Sequence, residues 1–183
     1  IYTEGKVFGG DFLSIYTFYL ASPFNLFMGL VSKEAIPDFI LITTILKMSF
    51  AGLNFYLLCR FTQHKIAFSH YAFAVGYALV SYSFIYLSNY MWIDGVMILP
   101  LMVLGLNLLK ESKVCYLYSI SLAYSLISSW YIGFMTCVFS VFYFMYLFFS
   151  DAKSFKEKMP FFLRYVIYSL IGGFLGSICW LTA

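Results

Sequence analysis

VCYLYSISLAYSLISSWYIGFMTCVFSVFYFMYLFFS, residues 114–150, contains no charged side chain. As one helix this stretch would extend about 55 Å at ~1.5 Å per residue, whereas the hydrocarbon core of a bilayer is ~30 Å thick. We therefore expect two membrane crossings, separated at residues 128–133 (SSWYIG). The first of the two is too short to require a full crossing of the membrane.

The composition of the whole chain supports the same conclusion. Of 183 residues, 63% are hydrophobic and only 10% are charged, and the mean hydropathy is +0.88. A soluble domain carries roughly 25% charged residues because its surface faces water. The sequence thus predicts an all-α, polytopic transmembrane helix bundle. The positive residues fall in loops between spans, so the net charge of +3 does not indicate nucleic-acid binding.

The remaining apolar runs give about six spans. Besides the two in residues 114–150, we predict spans at residues 39–59, 66–87, 95–109 and from 161 onward, with Pro160 at a helix start. Residues 1–38 are mixed in character and form a loop region, in which residues 12–21 are too short to cross and predict an interfacial or re-entrant helix. The domain division is 1–38 and 39–183. Both ends look cut, so we expect a fragment of a longer protein.

The distribution of basic residues predicts the orientation. Loops on one side contain eight of the eleven Lys and Arg residues, which are Arg60, Lys65, Lys110, Lys113, Lys153, Lys156, Lys158 and Arg164. The opposite side contains Lys6 and Lys33 only. By the positive-inside rule, loops 60–65, 110–113 and 151–160 are cytoplasmic, and segments 1–38, 88–94 and 128–133 are extracytoplasmic.

Two carboxylates on the outer side are candidates for chemistry. Asp94 lies in a short turn with Asn89 and Trp92, where an acid beside an amide and an aromatic ring is typical of a sugar or phosphate site. An N-cap of the following helix is an equal alternative for Asp94. Asp11 follows Gly9–Gly10, a flexible backbone that could present a carboxylate to a substrate, although a solvated loop acid has the same pattern.

Lys47 is the most informative single residue because it lies near the middle of a predicted span. A charge there costs a few kcal/mol and usually faces a bundle interior, a cavity or a partner. Asn54 lies seven positions on and shares its helix face. Lys47 could hold a lipid phosphate, neutralise an outer carboxylate, or form a structural pair with another helix. Gly172 and Gly176 form a small-x-x-x-small face that predicts helix packing.

Several blocks of sequence resemble the YfhO family of bacterial membrane proteins. The blocks occur in the family's order over most of the chain, at residues 9–14 (GGDFLS), 19–26 (YLASPFNL), 46–47, 51–53, 55–56, 91–94 (MWID), 99–101 (LPL), 126–128 and 130–134 (WYIGF). Together they are far more specific than any one alone.

The resemblance implies a GT-C type membrane glycosyltransferase, which uses a polyprenyl-phosphate-linked sugar at the outer face and modifies a cell-wall polymer such as lipoteichoic acid. Asp94 and Asp11 would then be the catalytic carboxylates. Asn89, Trp92, Asn25, Tyr131 and Lys47 would contact the sugar or the lipid phosphate. The expected partners are the lipid-linked sugar, the polymer acceptor and membrane lipids. The cofactor is unknown, and a divalent metal would suit phosphate chemistry.

One departure from the family pattern concerns catalysis. In GT-C proteins an acidic residue in the loop after the first helix acts in catalysis, and Ile1 lies downstream of that point, so this chain alone is expected to be inactive. Two alternatives stay open from the residues themselves. The chain could belong to a transporter or lipid-handling protein without transferase activity, with Lys47 on the path, or to a membrane scaffold.

Overall fold

The structure is a computed structural model that describes residues 2–3, 10–11, 21–63, 68–111, 116–152 and 154–180. Over these residues it is an α-helical bundle, which confirms the predicted fold class. The helices are α1 (Ile36–Gln63), α2 (Phe68–Ala78), α3 (Ser81–Ile85), α4 (Ile93–Lys110), α5 (Tyr116–Ser128), α6 (Trp130–Phe149) and α7 (Phe155–Trp180). Short 3-10 helices occupy Pro23–Leu30, Lys33–Ala35 and Leu87–Trp92. A two-residue antiparallel ladder pairs Tyr2–Thr3 with Gly10–Asp11.

Among the described residues, four helical segments are long and apolar enough to cross a membrane. They are Lys33–Gln63, Asn89–Lys110, Trp130–Phe149 and Phe155–Ser177. The other two predicted crossings are shorter: α5 has 13 residues, as the sequence analysis anticipated for the first arm of residues 114–150. The break between the two arms is confirmed, since α5 ends at Ser128 and α6 begins at Trp130.

The predicted span 66–87 is not one helix. It is divided into α2 and α3 at Leu79 and Val80, where the Val80 backbone is extended (φ −60°, ψ 140°). Leu79 and Val80 are ordinary apolar residues, and no Pro or Gly marks the break itself. The prediction that Pro160 starts a helix was also wrong, because α7 begins at Phe155 and contains Pro160 in its second turn.

The contacts between helices show that consecutive passes alternate in direction. Helix α1, which contains the predicted span 39–59, runs antiparallel to α2. This follows because Gly52 contacts Ala74, while Gln63, later in α1, contacts His70, earlier in α2. α4 runs antiparallel to α5, since Asp94 meets Tyr124 and Gly105 meets Tyr118. The same holds for α5 and α6. This alternation is what the positive-inside division requires, although it does not itself fix which end faces the cytoplasm.

The core is centred on α5, which packs against α4, α6 and α7. Tyr118 is fully buried and its hydroxyl bonds to Ser169 of α7 at 2.9 Å. Gly172 and Gly176 contact α5 directly: a Cβ on Gly172 would lie 2.9 Å from the Ser119 carbonyl oxygen. The small-residue face therefore packs helices, as predicted.

The N-terminal region contains a 3-10 helix that was not predicted from the sequence. Residues 12–20, most of the predicted interfacial helix, lie outside the described residues. Directly after them, Pro23–Leu30 forms a 3-10 helix with Pro at its start. Leu26, Phe27 and Leu30 are largely exposed, while Ala21 and Ser22 are buried. This segment thus covers one end of the bundle with one side and presents apolar side chains on the other.

Candidate functional site

A buried ion pair joins α1 to α4. Lys47 Nζ lies 2.7 Å from Asp94 Oδ2, and the two side chains are 1% and 0% exposed. Removing two charges from solvent is expensive, and the cost is offset only where the geometry is close and further hydrogen bonds are made. The pair is therefore a specific arrangement and not an incidental surface contact.

A third residue completes the arrangement from α5. The Tyr124 hydroxyl donates a hydrogen bond of 2.7 Å to Asp94 Oδ1, so each carboxylate oxygen has its own donor. Seven residues after Lys47, Asn54 donates to the Met97 carbonyl of α4 at 2.7 Å. The predicted shared face of Lys47 and Asn54 is confirmed, and it is the face against α4.

Tyr124 was not found from the sequence. It is one of 17 tyrosines, and it lies within an uncharged stretch with no adjacent signal. Its neighbours give a partial clue: Ser121, Ser125 and Ser128 are all buried. In a bundle that lipid surrounds, the polar face of a helix points inward. The three serines therefore indicate the buried face of α5, and Tyr124 lies next to them on that face.

The segment before α1 closes this network at the end of the bundle where α4 begins, here called the Asp94 end. Lys47 Nζ lies 5.4 Å from the ring centroids of Phe24 and Tyr90, and 3.5 Å from the Tyr90 carbonyl oxygen. Asn25 interacts with the Tyr90 hydroxyl. Ser22 lies beside the Tyr124 hydroxyl, and within the described part of the chain its Oγ makes no hydrogen bond.

The N-cap alternative for Asp94 is excluded by its position and contacts. Helix α4 begins at Ile93, its N-cap residue is Trp92, and no side chain caps it. Asp94 is therefore already inside the first turn, where a carboxylate also interacts favourably with the helix dipole. Both of its oxygens bond to other helices, so Asp94 does not cap α4, and its role at a sugar or phosphate site stays a prediction.

The aromatic candidates lie away from the ion pair, Trp92 directly before α4 and Tyr131 at the start of α6. Trp92, Gly95, Val96 and Leu99 line an open apolar groove of about 310 Å³ between α2, α3, α4 and α6. These positions are spaced three and four apart and share a helix face, which is not the face of Asp94. Trp92 contacts Tyr131 with ring centroids 6.1 Å apart, and its indole nitrogen has no hydrogen-bond partner among the described residues.

The predicted site residues therefore fall into separate groups. Lys47 and Asp94 are joined, with Asn25 close by through Tyr90, whereas Trp92 lines the groove and contacts Tyr131. Asn89 interrupts the Leu87–Trp92 helix with a non-helical backbone (φ −107°, ψ 53°). Asp11 is described only in its backbone, which pairs with Tyr2, so whether its carboxylate reaches Asp94 stays a prediction.

The chemical capacity of the network is that of one acid, one cation and one hydroxyl. The carboxylate can accept a proton, and the ammonium and the phenol can stabilise negative charge nearby. Within the ranges that the structure describes, no three His, Cys, Asp or Glu side chains come together as a metal site would require. The described cysteines 59 and 137 are free thiols.

Among the described residues, four helices are of membrane-spanning length and a buried ion pair joins two of them, which defines a polytopic integral membrane protein. The family model described as bacterial membrane protein YfhO matches residues 1–183. The chain belongs to the YfhO family, as the sequence blocks implied. No curated protein and no solved structure matches it.

Proposed function

We propose that the full-length protein transfers a sugar from a polyprenyl-phosphate carrier to a cell-wall polymer, such as lipoteichoic acid, at the outer face of the membrane. The observation that carries this proposal is the buried Lys47–Asp94–Tyr124 network beneath the Pro23–Leu30 segment. Ionisable residues inside membrane spans are rare and mark functional sites. The network contains both kinds of group that the reaction needs.

The proposed step assigns one role to each charge. An acceptor hydroxyl attacks the anomeric carbon of the lipid-linked sugar, and its oxygen forms the new glycosidic bond. The carboxylate of Asp94 takes the hydroxyl proton. The bond between the anomeric carbon and the phosphate oxygen breaks, and its electron pair leaves with the phosphate. Lys47 stabilises the negative charge on the departing phosphate, and Tyr124 orients the carboxylate.

Access to the network requires movement of the segment that covers it. Asp94 is 0% exposed, and Lys47 is covered by Phe24. We propose that substrate binding displaces residues 21–30, whose apolar outer side stays in contact with the membrane. A phosphate that approaches Lys47 then replaces Asp94 as its partner and frees the carboxylate to act as a base.

The test is complementation of a gene deletion with full-length variants. Asp94→Asn should abolish sugar transfer, measured as loss of the hexose mass increment on the wall polymer, with the protein still present in membranes. Asp38→Asn is the matched control, because Asp38 is exposed at the start of α1 and loses the same charge. Transfer that is unchanged in Asp94→Asn at equal protein level would remove Asp94 from the reaction.

A transporter of the lipid-linked sugar is the second candidate. The helix break at Leu79–Val80 beside the apolar groove favours it, since discontinuous helices line the substrate paths of transporters. The two candidates differ in where the carrier-linked sugar accumulates after gene deletion. Loss of a transferase leaves the sugar open to a membrane-impermeant oxidant such as periodate in intact cells, whereas loss of a transporter leaves it protected inside.

A further inference from the structure

A polar cavity lies at the opposite end of the bundle from Asp94, where α4 and α6 end and α7 begins. It has a volume of about 120 Å³. Three cations line it, Lys110 from α4 and Lys158 and Arg164 from α7, together with the carboxylates of Asp151 and Glu157. Nothing in the proposed transfer reaction uses this cavity.

We propose that this cavity binds the headgroup phosphate of an anionic phospholipid that carries one net negative charge and a hydroxylated headgroup. Basic pockets between transmembrane helices at the membrane surface are suited to anionic lipid headgroups. Here the pocket lies where the candidate spans Asn89–Lys110 and Trp130–Phe149 end and Phe155–Ser177 begins. The end of a helix that crosses the hydrocarbon core is where lipid headgroups are expected.

The charges of the cavity select a single negative charge. Among the described residues that line it, three cations and two carboxylates leave a formal charge of +1, which one phosphodiester would neutralise. Lys110 Nζ and Asp151 Oδ2 form an ion pair at 3.9 Å, and both side chains are partly exposed. An ion pair of this kind contributes little stability and can rearrange around a phosphate at small cost.

The remaining groups distinguish a phospholipid from a free phosphate. Phe148 and Phe161 form an apolar wall of the same cavity, and Lys158 Nζ lies 5.4 Å from the Phe148 ring centroid. A neighbouring cavity of about 320 Å³ shares Lys110 and Leu147 with it. Inorganic phosphate has no use for apolar walls, whereas the glycerol backbone and upper acyl chains do. The two carboxylates accept hydrogen bonds from headgroup hydroxyls.

The experiment is native mass spectrometry of the purified, delipidated full-length protein with added lipids. Phosphatidylglycerol and phosphatidylethanolamine with identical acyl chains are titrated in parallel, and soluble glycerol 3-phosphate is tested as a competitor. We expect phosphatidylglycerol to bind at least about fivefold more tightly than phosphatidylethanolamine, the effect of one charge near a membrane surface. The soluble phosphate should not compete at the same concentration.

Two variants and a matched control assign the binding to this cavity. Lys158→Gln should lower the affinity for phosphatidylglycerol about fivefold, and Glu157→Gln, which removes a negative charge, should raise it. Lys156→Gln is the control, because Lys156 is exposed in the same turn of α7 and does not line the cavity. The Glu157→Gln result decides the question if Lys158→Gln fails to fold.

Three results would overturn the proposal. One is equal affinity for the two lipids, and another is an equal effect of the Lys158→Gln and Lys156→Gln substitutions. The third is full competition by glycerol 3-phosphate, which would make the cavity a site for a free phosphate compound instead of a lipid. None of these results depends on sugar transfer, so failure here and failure of the proposed function are distinguishable.

Discussion

Lys47 of α1 and Asp94 of α4 form a buried ion pair, with Nζ and Oδ2 2.7 Å apart and the side chains 1% and 0% exposed. Tyr124 bonds to the other carboxylate oxygen at 2.7 Å. The three residues come from three different helices. The network therefore fixes the relative positions of α1, α4 and α5 at the Asp94 end while it holds the groups that we assign to chemistry.

The first prediction concerns the cost of leaving Asp94 without its cation. Lys47→Met should lower the free energy of unfolding by about 3–5 kcal/mol, because it leaves a buried carboxylate unpaired. The measurement is the thermal midpoint of the purified protein in detergent. The double variant Lys47→Met/Asp94→Leu should recover much of the loss, since no uncompensated charge remains. A double variant that is less stable than Lys47→Met alone would contradict this account of the pair.

The second prediction concerns the tyrosine that the sequence did not reveal. Tyr124→Phe removes one hydrogen bond to a charged group and should cost about 1.5–3 kcal/mol, measured in the same thermal assay. Tyr116→Phe is the control on the same helix, because Tyr116 is largely exposed. Equal midpoints for the two variants would mean that the Tyr124 hydroxyl does not hold Asp94.

The third prediction compares two adjacent glycines of α7. A Cβ on Gly172 would lie 2.9 Å from the Ser119 carbonyl oxygen, whereas a Cβ on Gly173 meets nothing within 4 Å. Gly172→Ala should therefore destabilise the bundle, because a backbone carbonyl cannot move aside. Gly173→Ala should be neutral or stabilising by up to ~1 kcal/mol through helix propensity. The reverse order of midpoints would show that α7 does not pack on α5 through this face.

The fourth prediction concerns orientation. Lys33 and Lys156 are both exposed and lie at opposite ends of the bundle. In a background without the native cysteines, Lys33→Cys should react with a membrane-impermeant maleimide in intact cells. Lys156→Cys should react only after permeabilisation, because its loop belongs to the basic set. Labelling of Lys156→Cys in intact cells, with Lys33→Cys protected, would reverse the predicted sidedness.

The helix bundle and the unusual position of Lys47 could both be predicted from the sequence. Uninterrupted apolar runs are a strong signal at the length of a bilayer, so α1, α4, α6 and α7 were all expected near their observed positions. Lys47 stood out because a charge in such a run is costly and needs a partner. A carboxylate on another helix was among the partners considered for it.

The sequence was not sufficient for features that depend on packing between helices. When all sides of a helix are apolar, the pattern does not tell which face is buried, so neither the choice of Asp94 as the partner of Lys47 nor the contribution of Tyr124 could be derived. The break at Leu79–Val80 could not be derived either, because neither residue is a Pro or Gly that would mark it. The prediction that Trp92 and Asp94 share one site rested on their closeness in sequence, whereas their side chains point to different sides of the start of α4.

The most direct test of the transferase proposal compares cells that carry the full-length gene with cells that lack it. Lipid-linked sugars and wall polymers are extracted from both and compared by mass spectrometry. The account predicts that the deletion loses a hexose modification of the wall polymer and accumulates the polyprenyl-phosphate sugar, whose mass identifies the donor. Unchanged pools of both carrier and polymer would contradict the proposal that this protein transfers sugar in that cell.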